Sequence, residues 1–239
     1  MARKTRPKAR RSTSRPKPVI SGTPRERIIQ AFMALLAEHP IERIGLSEIA
    51  ARADVSLAEL RGEFSTPLAI LAAHVKELDR KVLAEIDPEL EEESPRERLF
   101  DVLMRRLELL APHKDAVRSL LRSTRRDPPF ALALNAMAVR SQQWMLTAAG
   151  IGAAGPKGMV RAQGLALLFA NTLRTWVDDD DPGLARTLAA LDRELARGQR
   201  FAGLLDDLCR IPQAACAFRQ RMRNTTRGGR DRRSGHLAM

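Results

Sequence analysis

The stretch 46–71, LSEIAARADVSLAELRGEFSTPLAIL, constrains the fold more than any other part of this chain. Leu46, Ile49, Ala50 and Ala53 recur at helical spacing, Asp54-Val55-Ser56 breaks the pattern, and Leu57, Leu60 and Phe64 take it up again. Two short helices meeting at a tight turn cannot bury their apolar faces on each other alone. A further helix must lie beneath them, and the flanking sequence supplies one on each side.

Upstream, Thr23-Pro24-Arg25-Glu26 writes a helix start. Thr23 can cap, Pro24 suits the first helical position, and Glu26 can reach back to the cap amide. The helix so opened runs to about Glu38, with Ile29, Phe32 and Leu36 on one stripe, and His39-Pro40 ends it. Ser56 and Glu59 repeat the formula before 57–63, and Thr66-Pro67 opens a fourth helix carrying Leu68, Leu71, Val75 and Leu78 to about Ile86.

The remainder is a larger helical body. An acidic link with Glu91, Glu92 and Glu93 precedes Ser94-Pro95-Arg96-Glu97, a third cap of the same form. Helices are predicted at about 95–110, 114–125, 130–149, 159–177 and 184–208. The helix at 159–177 has two apolar stripes, one through Val160, Gly164, Leu168, Thr172 and Trp176, the other through Leu165, Phe169 and Leu173. Two greasy sides need two packing partners, so one is expected to face its own core and the other a second subunit. The chain therefore reads as all-α: a disordered basic arm at 1–23, a helix-turn-helix head at 24–86, a larger helical body at 87–211 and a basic tail at 212–239.

Composition agrees with helix and narrows the function. Aromatics make up 4% with no Tyr, and β-branched runs between turn signals are missing. No apolar run reaches the ~18 residues of a membrane span. The net charge of +12 resides in the ends: residues 1–24 hold eight Arg or Lys and no acid, and 218–239 hold seven Arg against Asp231. The rest carries −2. Cys209 and Cys216 have neither metal spacing nor the look of a disulfide framework, which points to a reducing cytoplasm. The first residues lack the apolar core of a signal peptide.

At Ile49-Ala50, Val55-Ser56, Leu60 and Phe64 the chain resembles the TetR/AcrR family of transcriptional regulators, and the resemblance extends over 24–86. It implies a three-helix head joined through the fourth helix to a helical-bundle body. It further implies double-stranded operator DNA as partner, a homodimer through the helices at 159–177 and 184–208, and a small apolar ligand in the body that changes the spacing of the two heads. Arg52, Ser56, Leu57 and Arg61 would face the major groove or its phosphates. The arm residues Arg3, Lys4, Arg6, Lys8, Arg10 and Arg11 would add charge along the duplex or in a minor groove; a solubilising tail is the alternative for them.

The contact positions depart from the family pattern. Asp54 stands where the turn usually has Gly, Ala58-Glu59 where it has Gly-Thr, Arg61 and Glu63 where aromatic or His residues meet the backbone, and Pro67 where a Lys meets a phosphate. Residues 25–85 hold eight basic and ten acidic side chains, an adverse balance for approaching a polyanion. Arg61 is a fair substitute, since a guanidinium can hold a phosphate or a guanine edge, while Glu59 and Glu63 are poor ones. Glu59 is also the natural capping partner of Ser56.

In the body, Met104, Met137, Trp144, Met145, Phe169 and Trp176 are candidates to line a pocket for the apolar ligand, with plain core as the other reading. No catalytic motif, metal-ligand spacing or cofactor signature is present; Asp178 to Asp181 reads as a solvated helix cap. The rival function is a protein of the same fold that has lost specific DNA binding and holds a lipid or isoprenoid, like the accessory proteins of ubiquinone biosynthesis, with its basic tails on acidic membrane lipid.

Overall fold

The computed structural model describes residues 22–86 and 92–200, and every regular element in them is helical. The first four are α1 (Pro24–Glu38), α2 (Leu46–Ala53), α3 (Leu57–Glu63) and α4 (Pro67–Ala84), with a 3₁₀ turn at Ile41–Arg43. The body comprises α5 (Pro95–Leu110), a 3₁₀ turn at Ala111–His113, α6 (Lys114–Ser123), α7 (Pro128–Ala148), α8 (Gly155–Trp176) and α9, which spans 185–200. The expected arm and C-terminal tail lie outside the described residues. No helix among those described is long and apolar enough to cross a membrane.

All three capping formulas are realised. Thr23 Oγ1 accepts from the Glu26 amide at 3.3 Å while the Glu26 carboxylate accepts from the Thr23 amide at 2.9 Å. Ser56 and Glu59 reciprocate at 3.1 and 2.7 Å, and Ser94 and Glu97 at 3.4 and 3.1 Å. Each box satisfies two amides that a helix start leaves unpaired, and the hydroxyl alone contributes about 1 kcal/mol. Thr66 caps α4 through the Ala69 amide, and Asp127 caps α7 through that of Phe130.

Two apolar cores result. One gathers Ile28, Phe32, Leu35 and Leu36 of α1, Ile49, Ala50 and Ala53 of α2, Leu60, Phe64, and Ile70 and Leu71 of α4. It does not end there, because Ala116 and Leu120 of α6 are buried in it and Phe130, Leu134 and Met137 of α7 pack on its edge. Two side-chain hydrogen bonds reinforce that seam: Ser119 Oγ donates to the His39 carbonyl at 3.1 Å and Ser123 Oγ to Glu42 at 2.9 Å. The second core runs from Leu78 and Val82 of α4 through Leu103 and Leu107 of α5 and Met145 of α7 to Phe169 and Trp176 of α8 and Leu191 of α9.

The two expected stripes of α8 do not divide between a core and a partner. Leu165, Phe169, Leu168, Thr172 and Trp176 are all buried within the chain, while Val160 and Gly164 are exposed. Steps of four residues drift by about 40° around a helix of 3.6 residues per turn. A stripe written through 160, 164, 168, 172 and 176 therefore winds from the outside of α8 into its core. The outward line is Val160, Gly164, Leu167 and Asn171.

Candidate nucleic-acid interface

The turn between α2 and α3 is built on Asp54, whose backbone adopts the left-handed conformation (φ 52, ψ 49). Aspartate is one of the few side-chain-bearing residues that tolerates this region, so it replaces a glycine at small cost. The Val55 amide reaches back to the Ala50 carbonyl at 3.1 Å. Arg27 of α1 holds the turn from below, donating to the carbonyls of Ala53 at 3.3 Å and Asp54 at 3.0 Å. Leu60 and Phe64 anchor α3 in the core, and the Arg25 guanidinium lies over the Phe64 ring at 4.7 Å.

With Leu60 buried, the rest of α3 points outward and sorts into three lines. Ala58 and Gly62 form the most outward, bare line, opposite Leu60. Leu57 and Arg61, four residues apart, flank it on one side, and Glu59 and Glu63 flank it on the other. The acidic flank is occupied. Glu59 is bound to the Ser56 amide and hydroxyl, which holds its carboxyl below the usual range, and Glu63 pairs with Arg25 at 3.2 Å. Both carboxylates are thus turned to local partners and away from the Leu57–Arg61 flank.

Arg52 on α2 sits in a two-pronged ion pair with Glu38 of α1, at 2.8 and 2.7 Å. That hydrogen bonding lowers the Glu38 pKa and raises that of Arg52. Ser56 has its hydroxyl engaged in the capping box, and Leu57 is 55% exposed. Arg61 is exposed on the open flank. The arm residues Arg3, Lys4, Arg6, Lys8, Arg10 and Arg11 lie outside the described residues.

The six pocket candidates are not brought to one cavity. Trp144 is 59% exposed, Met137 packs on the edge of the first core, and Met104 borders a surface recess between α4 and α5 beside Val82, Ile86 and Asp101. Met145, Phe169 and Trp176 are filled core, with Arg106 over the Phe169 ring at 5.6 Å and Lys114 over Trp176 at 5.8 Å. A different apolar groove, of about 440 Å³, opens between the start of α5, the end of α7, α8 and α9. Leu99, Leu146, Ile151, Leu165, Leu168 and Leu195 line it, and Arg96, Arg161 and Arg197 also border it.

Comparison with solved structures places this arrangement. A TetR transcriptional regulator from Nitrosomonas europaea superposes with a TM-score of 0.59 at 23% identity, over 74% of this chain and 99% of that one. The chain has the TetR-regulator fold. A TetR transcriptional regulator from Rhodococcus sp. RHA1 gives 0.52 at 21% identity, over 73% and 95% of the two chains. A putative TetR-family regulator from Syntrophomonas wolfei gives 0.54 at 14%, over 75% and 94%. No family sequence model matches the chain, and no curated protein matches it by sequence.

Within this TetR fold, sequence reasoning missed Arg27 and Arg25, which support the turn and restrain Glu63. Their signal was available in part: both are cations on the first turns of α1, placed to meet whatever follows the short helices.

Proposed function

We propose that this chain is a cytoplasmic, dimeric DNA-binding transcriptional regulator controlled by a small ligand. The observation that carries the reading is the state of α3. Its outward line is bare, its two acids are held by Ser56 and Arg25, and Arg61 stands on the flank they leave open. The net charge of residues 25–85 remains adverse, but on α3 the two carboxylates are held to one flank, Glu59 by hydrogen bonds from Ser56 and Glu63 by Arg25. The basic arm supplies the missing long-range attraction to phosphates.

Dimerisation is supported by the placement of apolar side chains. Among the described residues, Leu132 and Trp144 of α7 and Met159, Val160 and Leu167 of α8 are large hydrophobics left exposed on two adjacent helices, so the surface proposed pairs α8 with α7 in place of the expected helix at 184–208. A second copy seated there would bury them. The groove beside Val160 and Leu167 has the volume of a small-molecule site. A ligand in it would press on the same helix that the second copy covers, and so would bias the spacing of the two heads.

The test is fluorescence anisotropy of the full chain on duplex from its own upstream region, titrated with salt. A specific complex is expected, with a steep salt dependence that becomes shallower when residues 1–21 are removed. Equal affinity for the upstream duplex and for unrelated duplex at every salt concentration would overturn the reading.

A further inference from the structure

Leu57 is a large hydrophobic residue that α1 to α4 leave in solvent, on the first turn of α3. Its surroundings are polar or bare: Ser56 precedes it, Ala58 follows, and Arg61 stands four residues on along the same flank. A Cβ placed on Gly62 would meet nothing within 4 Å, so the surface next to this flank is open to close approach. Among the described residues, the other exposed large hydrophobics lie on α7 and α8.

In the major groove only an A·T pair presents a methyl group, the C5-methyl of thymine; the edges of a G·C pair offer hydrogen-bond donors and acceptors and no methyl. We infer that Leu57 is a specificity-determining residue that packs on a thymine methyl in each half-site, with Arg61 on the neighbouring phosphate or guanine edge. The assignment rests on the DNA-binding reading proposed above. It adds a base preference that charge alone cannot give, because phosphate contacts carry no sequence information.

The experiment uses the full chain. A bound site is first selected from a random duplex library, and each thymine of one half-site is then replaced singly by deoxyuridine, which removes only the methyl. One position per half-site is expected to weaken binding about fourfold, the value of one buried methyl-sized group. In L57A the same replacement is expected to change affinity by less than about 1.5-fold, the signature of a coupled pair. Circular dichroism of L57A should match the parent, since the residue is exposed.

A selected site whose affinity ignores every thymine methyl overturns the Leu57 assignment and leaves DNA binding standing. So does an L57A variant that keeps the full methyl sensitivity. Failure to enrich any site overturns the DNA-binding reading together with the assignment.

Discussion

Asp79 of α4 and Arg106 of α5 form an ion pair at 2.5 Å inside the molecule, and Ser141 of α7 donates to the same carboxylate oxygen at 2.8 Å. Both charged residues are buried, and the Arg106 Nε has no partner. Burial pulls the Arg106 pKa below its ordinary value, and Asp79 opposes that shift. The pair ties the helix that leaves the N-terminal core to two helices of the body.

Asp79→Ala therefore strands a buried guanidinium and should destabilise the fold by about 3–5 kcal/mol. The paired change Asp79→Leu with Arg106→Met removes both charges and should recover most of that loss. Urea denaturation of the two variants beside the parent decides it. If the double variant is as unstable as Asp79→Ala, the cost lies in packing and the charge argument fails.

His74 of α4 meets His113 edge to face, with ring centroids 4.8 Å apart. Burial lowers the His74 pKa from 6.5 to about 4, helped by His113, Lys81 and Arg106 and opposed by Glu77. Burial also lowers the His113 pKa. The unfolded chain takes up protons below about pH 6.5 that folded His74 refuses until about pH 4. Stability should thus be insensitive to this group above pH 6.5 and fall as the pH drops from 6.5 toward 4, by on the order of 2 kcal/mol. His74→Gln should flatten that slope in denaturation curves taken across the range. An unchanged slope would assign the acid sensitivity elsewhere.

Leu120 of α6 lies in the same core as Phe32, Leu36 and Ile49. Truncation to alanine should cost about 2–4 kcal/mol. Because the core is shared, the loss should move the unfolding of the N-terminal helices and of the body together. Tryptophan fluorescence reports the body, where Trp144 and Trp176 both reside, while far-ultraviolet circular dichroism reports all helices. Coincident transitions are expected in the parent and the variant. An early loss of helix with fluorescence unchanged would show that α1 to α3 unfold alone.

Leu132 is 72% exposed and Leu167 lies on the outward line of α8. If a second copy covers them, Leu167→Glu should shift sedimentation from dimer toward monomer at micromolar concentration, since a buried carboxylate without a partner is expensive. Its thermal unfolding as a monomer should remain cooperative. A dimer that tolerates both Leu167→Glu and Trp144→Glu places the interface on other helices.

The elements that were legible in the sequence are those specified locally. Thr23-Glu26, Ser56-Glu59 and Ser94-Glu97 place both partners of each box three residues apart, so the helix starts at 24, 57 and 95 can be read directly. Packing was less legible in proportion to sequence separation. Nothing near Leu120 announces that it belongs with Phe32, and nothing near Met137 separates it from Met145, although the two end in different cores. Residue type also misled: Trp144 has pocket chemistry but falls on the solvent side of α7, while the groove is lined largely by leucines that had looked like ordinary core. At α3 the residue types were right to raise concern about Glu59 and Glu63. The Ser56 box that holds Glu59 was legible from the three-residue spacing, whereas the hold of Arg25 on Glu63, 38 residues away, was not.

The seam between α1 and α6 sets how such a molecule can move. Ala116 and Leu120 are embedded among α1 side chains, and Ser119 and Ser123 bond to the segment just after α1. Turning the N-terminal helices against the body would expose Ala116 and Leu120 and break both hydrogen bonds, so a protomer so joined resists bending there. In an assembly of two copies, the separation of the two α3 helices would then be set where the bodies meet, and a rotation there would carry each α3 with it.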